Sequence, residues 1–121
     1  MGKNIALWDI GGLIDIRSFW HCYFKNINGL IWVYDISQID KLEESKKELT
    51  NVLNNPEVNE KIPLLIYANK NDLNTSGIKE LDFIIGIEEY LNKRSYHIQI
   101  WSYDDIETFN NGIDWIYNNM N

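Results

Sequence analysis

Two uninterrupted apolar runs, Leu30 to Tyr34 (LIWVY) and Ile62 to Ala68 (IPLLIYA), limit what this chain can fold into more than any other feature. A strand with one face in water alternates apolar and polar residues. A strand that is apolar at nearly every position has to be covered on both faces, which is the situation inside an α/β sheet. Pro63 stands near the start of its run, where a missing N–H donor is tolerated. Asn4 to Asp9 (NIALWD), closed by Gly11-Gly12, reads as a further strand entering a tight loop. Tyr96 to Trp101 alternates large apolar residues with His97 and Gln99, and reads as a strand with a more exposed face.

Between these runs the period changes. Ile16, Phe19, Trp20, Tyr23 and Phe24 mark one face of a helix over Ile14 to Asn26, and Gly29 follows it as a stop. From Ser37, with Asp40 as a capping partner, Ile39, Leu42, Leu49, Val52 and Leu53 recur at helical spacing until just before Pro56. Ser76 can cap a short helix carrying Ile78, Leu81 and Ile85 and closed by Gly86. The last helix spans about Ile106 to Tyr117, with Ile106, Phe109, Ile113, Ile116 and Tyr117 on its apolar stripe. Strand and helix thus alternate about four times. The expected fold class is α/β in three layers: a mostly parallel sheet, right-handed crossovers, and helices on both faces. The 121 residues suffice for one domain. Ligands of such folds bind at the carboxyl ends of the strands, so the loops Asp9 to Leu13, Asp35 to Ser37, Asn69 to Leu73 and Ser102 to Asp105 are the ones that matter.

Composition narrows the partners. With 11 Lys plus Arg against 18 Asp plus Glu, the net charge of −7 repels a polyphosphate backbone, so neither nucleic acid nor an anionic membrane is expected as a bulk partner. Cys22 is alone and can make no internal disulfide or thiolate cluster, which fits a cytosolic chain. No apolar run reaches the roughly 18 residues of a membrane span, and no secretory leader is expected. Met1-Gly2 is not a myristoylation start, because Ala6 stands where Ser or Thr is required.

Two loops have chemical content. Trp8-Asp9-Ile10-Gly11-Gly12 puts a carboxylate at a strand end, beside glycine amides that an anion can approach closely; this suits a metal with a phosphate, or a plain Gly-Gly turn. Asn69-Lys70-Asn71-Asp72 follows a buried strand. A carboxylate there can accept from the N1 and N2 donors of guanine, a pair that adenine lacks, although a polar turn is the plainer reading. The other candidates are structural. His21 and His97 lack metal-ligand spacing. Glu43-Glu44-Ser45-Lys46-Lys47-Glu48 reads as a solvated, salt-bridged helix face. Ser18 and Ser102 have no histidine and acid at a recognisable spacing. Asp35, Asp104 and Asp105 are expected to be solvated or capping.

Taken together, WDIGG, IRSFWHCYFKNINGLIWVYD, IPLLIYANKNDL and IQI…GIDW lie in the order and near the spacing of the Arf-like small GTPases, and over essentially its whole length the chain resembles that family. The branch that handles lipidated cargo looks most similar. The resemblance implies a single partial G domain over residues 1–121, a switch in vesicle or lipidated-cargo trafficking, and GTP or GDP with Mg²⁺ as ligands. It places Asp9 at Mg²⁺ through water, the Gly12 amide at the γ-phosphate, and Asn69, Lys70, Asp72, Ser102 and Tyr103 around the base. Trp8, Phe19, Trp20 and Tyr23 would form the face shown to effector and regulator proteins. The location implied is cytoplasmic, peripheral to membranes in a longer form.

Three departures from the family pattern set expectations. The sequence corresponds to the family fold from its third strand onward, so the first two strands, the first helix and the phosphate loop G-x-x-x-x-G-K-[ST] have no counterpart. Nucleotide affinity should then be weak or absent. Leu13 occupies the position of the water-orienting glutamine, and an aliphatic group cannot hold that water, so no hydrolysis and no catalytic residue are expected. Tyr103 stands where the family has small residues, and crowds the base. The alternative is a nucleotide-free pseudo-GTPase interaction module. Without its first strand, the sheet would leave edges between Asn4–Asp9 and Leu30–Tyr34 that pair with each other or with a second copy, giving a homodimer.

Overall fold

The structure, a computed structural model, describes Phe24 and residues 27–35, 42–69, 84, 86–92, 94–101 and 105–120. Along these residues the order is β1 (Leu30–Asp35), α1 (Leu42–Leu53), β2 (Leu64–Asn69), α2 (Glu88–Leu91), β3 (Tyr96–Trp101) and α3 (Ile106–Asn119). The expected strand Asn4–Asp9, the helix Ile14–Asn26 apart from Phe24, the capping pair Ser37 and Asp40 with Ile39, and Ser76, Ile78, Leu81 and Ile85 of the short helix expected before Gly86 lie outside the described residues.

The three strands form one parallel sheet in the order β1-β2-β3. Both apolar runs are strands, as their continuity requires. The second begins at Leu64 rather than Ile62. Ile62 closes a turn through its amide to the Asn59 carbonyl, while Pro63, which has no donor to give, accepts from the Leu30 amide. Pairing is in step throughout: Leu30, Leu64 and Tyr96 lie abreast at one end of the sheet, and Asp35, Asn69 and Trp101 at the other.

The period-two geometry of the strands divides the core into layers. On one face Tyr34, Leu64, Ile66 and Ala68 pack with Leu49 and Leu53 of α1, with Leu91 of α2 and with Ile87 just before it. On the other, Leu65 and Tyr67 pack against Ile116, with Phe109, Ile113 and Trp115 of α3 around them. Helices therefore cover both faces, and the three-layer expectation holds. A third cluster joins Phe24, Val52, Val58 and Ile62; Phe24 is buried there, but it is not helical, so the helix expected over Ile14 to Asn26 does not reach through it.

Several expectations need correction. The helix at Glu88–Leu91 is not visible in the sequence, because four residues are too few to show a period; it follows the turn at Gly86, whose φ of +92° suits a residue without Cβ. Ile106 does not join the apolar stripe of α3. It is 66% exposed, because the first turn of the helix begins at the carboxyl end of the sheet and the packing passes to Phe109 one turn later. Lys46 does not belong to a solvated face: it is buried, and it reaches out to the exposed Glu43 at 3.4 Å. The helix α3 runs two residues further than expected, to Asn119, and is closed by the Met120 amide, which donates to the carbonyls of Ile116 and Tyr117.

The sheet is tied to α1 by more than apolar packing. The Trp32 indole N–H donates to the Ser45 hydroxyl at 3.0 Å. Ser45→Ala should lower stability by about 1 kcal/mol in chemical denaturation, the usual net value of one such bond.

Candidate functional site

The carboxyl edge of the sheet is where this topology gathers loops. Asp35, Asn69 and Trp101 are register partners across all three strands, so the segments that follow them leave from one line about two strand spacings long. Asn69, the first residue of Asn69-Lys70-Asn71-Asp72, ends the central strand of the three. Of the residues expected to meet nucleotide, Mg²⁺ or effectors, Asn69 is the one that the structure places, at this edge. Asp9, Gly12, Leu13, Lys70, Asp72, Ser102, Tyr103, Trp8, Phe19, Trp20 and Tyr23 lie outside the described residues. The same holds for the pairing of Asn4–Asp9 and for Asp104. Among the described residues, no group of three or more His, Cys, Asp or Glu side chains converges to hold a metal ion.

The far end of the Ser102–Asp105 loop is anchored. Asp105 is the N-cap of α3, its carboxylate accepting from the Glu107 amide at 3.2 Å, and Thr108 donates back to the Asp105 carbonyl at 2.7 Å. Asp105 thus caps, as expected for this loop. Asp105→Ala should cost about 1 kcal/mol of thermal or denaturant stability, the common loss for an N-cap aspartate.

Behind the edge sits an arrangement that the sequence reading missed. The Tyr67 hydroxyl, on β2, donates to the Phe109 carbonyl of α3 at 2.5 Å, and the two rings stack with centroids 5.3 Å apart and planes 7° from parallel. Gly112 makes this possible: a Cβ there would lie 2.5 Å from the hydroxyl and 2.7 Å from the ring. Burial pushes the Tyr67 pKa up to about 12, with the Asp114 carboxylate adding to the rise and the Ile113 amide opposing it. The only sequence signal for the arrangement was a glycine in the interior of a helix, where propensity disfavours it.

The sign of the pH effect follows. A tyrosine pKa raised on folding means that the native state holds the proton longer, so its contribution is complete below about pH 10 and is lost as pH rises towards 12. Wild-type protein should lose stability over that window more steeply than Tyr67→Phe, by at most about 3 kcal/mol at the upper end. Denaturant midpoints of the two proteins at pH 8, 10 and 11.5 would check it.

On the same face His97 stacks on Trp115, with centroids 5.4 Å apart, and its Nε2 shares a hydrogen bond with the Gln99 side chain. Both polar residues of β3 are half-buried under α3 rather than exposed. His97 is explained by this packing.

A parallel α/β sheet, covered on both faces and delivering an Asn-Lys-x-Asp segment from a strand end, has the architecture of a nucleotide-binding domain. The model of the ADP-ribosylation factor family matches residues 2–120, and the chain belongs to that family of small GTPases. Among solved structures, the fold is similar to that of the Arl6 BBS3 small GTPase from Trypanosoma brucei, determined with bound nucleotide analogue GppNp. The TM-score is 0.76 at 21% sequence identity, covering 89% of this chain and 67% of that one. At this identity the likeness speaks for the fold. Among the described residues, no helix is long and apolar enough to cross a membrane.

Proposed function

We propose that this chain is an Arf-like guanine-nucleotide switch component, acting in vesicle or lipidated-cargo traffic in the cytoplasm, whose 121 residues carry the base-reading half of the site. The observation that supports this most directly is the alignment of Asp35, Asn69 and Trp101 at one sheet edge, with Asn69-Lys70-Asn71-Asp72 leaving from the middle strand. In this reading Asn69, Lys70 and Asp72 hold the guanine, with Ser102 and Tyr103 on its other side. Asp9 and the Gly12 amide face Mg²⁺ and the γ-phosphate. Trp8, Phe19, Trp20 and Tyr23 meet effector and regulator proteins.

The residues present fit the base better than the phosphates. These 121 residues contain no G-x-x-x-x-G-K-[ST] segment, and their net charge is −7, so little compensates a triphosphate. Leu13 cannot orient a water for hydrolysis. Both facts support a second reading, a nucleotide-free interaction module that keeps the effector face. Titration with fluorescent GTP and GDP, with and without Mg²⁺, separates the two: binding at micromolar or tighter affinity that depends on Mg²⁺ eliminates the second reading. If guanine is bound, Asp72→Ala should lower the preference for guanosine over adenosine nucleotides about tenfold or more, the effect of losing hydrogen bonds to a charged acceptor.

Association with a second copy belongs to the same reading. Val33, on β1 at one end of the described sheet, is the register partner of Tyr67 and so projects from the α3 face, where it is 55% exposed and offers an apolar side chain that a second copy could cover. A dimer is expected in light scattering, and Val33→Asp should shift it to monomer. A wild-type monomer at high concentration overturns this.

A further inference from the structure

An asparagine followed by glycine is prone to close on itself, because a residue without Cβ lets the asparagine side chain reach the amide that follows it. The sequence contains this pair twice, at Asn28-Gly29 and Asn111-Gly112. The fold separates the two. Asn111 and Gly112 lie inside α3, where each amide is bound to the carbonyl four residues back, and Gly112 is pressed against the Tyr67 ring. Asn28 is exposed, and with Gly29 it stands outside any helix or strand, just ahead of β1. Among the described residues, no hydrogen bond holds the Asn28 side chain or the Gly29 amide.

Packing restricts what can replace Gly29. A Cβ there would lie 3.0 Å from Cδ1 of Ile116 and 3.3 Å from the Met120 sulfur, so its backbone is seated on the end of α3. The next amide, that of Leu30, donates to the Pro63 carbonyl at 3.0 Å and opens the pairing of β1 with β2. The contact that demands a glycine at 29 is thus the one that leaves Asn28 beside an unhindered amide.

We infer that Asn28 is a self-modifying site: it converts to aspartate and isoaspartate while Asn111 stays intact, and the isoaspartate form loosens the join between β1 and α3. The chemistry needs only base and water. Base takes the proton of the Gly29 amide, and the nitrogen attacks Cγ of Asn28. The Cγ–N bond forms, the Cγ–Nδ2 bond breaks, and ammonia leaves with a proton from solvent. Water then opens the cyclic imide at one of its two carbonyls. Attack at Cγ restores a normal aspartyl link, whereas attack at the main-chain carbonyl leaves the chain running through Cβ and Cγ. One water enters, one ammonia leaves, and no atom changes oxidation state. Both products carry a new negative charge. Only isoaspartate lengthens the main chain, by a methylene directly before Gly29, which has no slack against Ile116 and Met120.

The test ages the wild-type protein at mildly alkaline pH and resolves the peptides containing positions 28 and 111 into asparagine, aspartate and isoaspartate forms by chromatography and mass spectrometry. Conversion should run at least about tenfold faster at Asn28, since Asn111 reacts only in the small fraction of molecules in which α3 is open. An isoaspartate-specific carboxyl methyltransferase should label the first peptide and not the second. Aged protein should show a lowered Tm and faster exchange of the Leu30 amide. Asn28→Gln aged alongside, and Asn28→Asp, which has the charge without the extra methylene, should keep the Tm of fresh protein. Equal conversion at the two positions overturns the site, as does an intact Asn28 after the time in which a free Ile-Asn-Gly-Leu peptide has converted. Aged protein rich in isoaspartate yet as stable as Asn28→Asp overturns the effect on the join.

Discussion

Gly112→Ala should destabilise the protein by about 1–3 kcal/mol, although the change replaces a poor helix former by the best one. Propensity alone would favour alanine by about 1 kcal/mol. The opposing effect is larger. The new Cβ would lie 2.5 Å from the Tyr67 hydroxyl and 2.7 Å from its ring, and the ring cannot swing away. It is stacked on Phe109, hydrogen-bonded to the Phe109 carbonyl, and 2% exposed. Either α3 lifts off the sheet or the hydrogen bond breaks, and overpacking of this kind costs about 1–3 kcal/mol beyond the lost bond. A double-mutant cycle isolates the cause. In a Tyr67→Ala background the clash is gone, so Gly112→Ala should become neutral or stabilising by up to about 1 kcal/mol. The same penalty in both backgrounds would show that the glycine is needed for some other reason.

Ile66→Ala should cost more, about 3–4 kcal/mol. Ile66 is in the middle of the central described strand, fully buried, and packed among Leu49, Leu53, Leu64 and Leu91. Truncation removes three carbons from a region bounded by two paired strands and a helix, which cannot collapse to fill the cavity, so the cost lies in the upper part of the large-to-small range. For a domain of this size the loss is a large fraction of the total stability. It should lower Tm by about 10 °C or more. Val33→Ala is the control, measured at dilutions where the chain is monomeric: at 55% exposure on β1 it should change stability by less than about 0.5 kcal/mol. A loss that grows with protein concentration would show Val33 covered by the second copy expected above.

How much of this was legible beforehand depends on the range of the interaction concerned. Leu30–Tyr34 and Ile62–Ala68 could be read as doubly covered strands because an unbroken apolar run states its own environment. The stripe carrying Phe109, Ile113 and Ile116 marked the inner side of α3 for the same reason. Asp105 could be expected to cap, since it immediately precedes a helical period. Failures came where one residue's environment depends on a distant one. Ile106 has the right spacing for the stripe yet stands one turn beyond the cover of the sheet. Lys46 lies within a run of charges but is buried. His97 and Gln99 alternate like a solvent-facing row, yet they sit beneath Trp115 and its helix. Of the candidate site, the motif and its place after a strand were readable, and the structure adds that Asn69 ends level with Asp35 and Trp101.

By itself, then, the order of residues determined the class of architecture and the family, because hydropathy period and motif spacing are local properties that survive without coordinates. The tertiary structure alone decided which strand ends stand abreast and why a glycine interrupts the last helix. Tyr67 and Gly112 are 45 positions apart in the chain, and a contact between a hydroxyl on a strand and a missing side chain on a helix leaves no periodic trace in either segment.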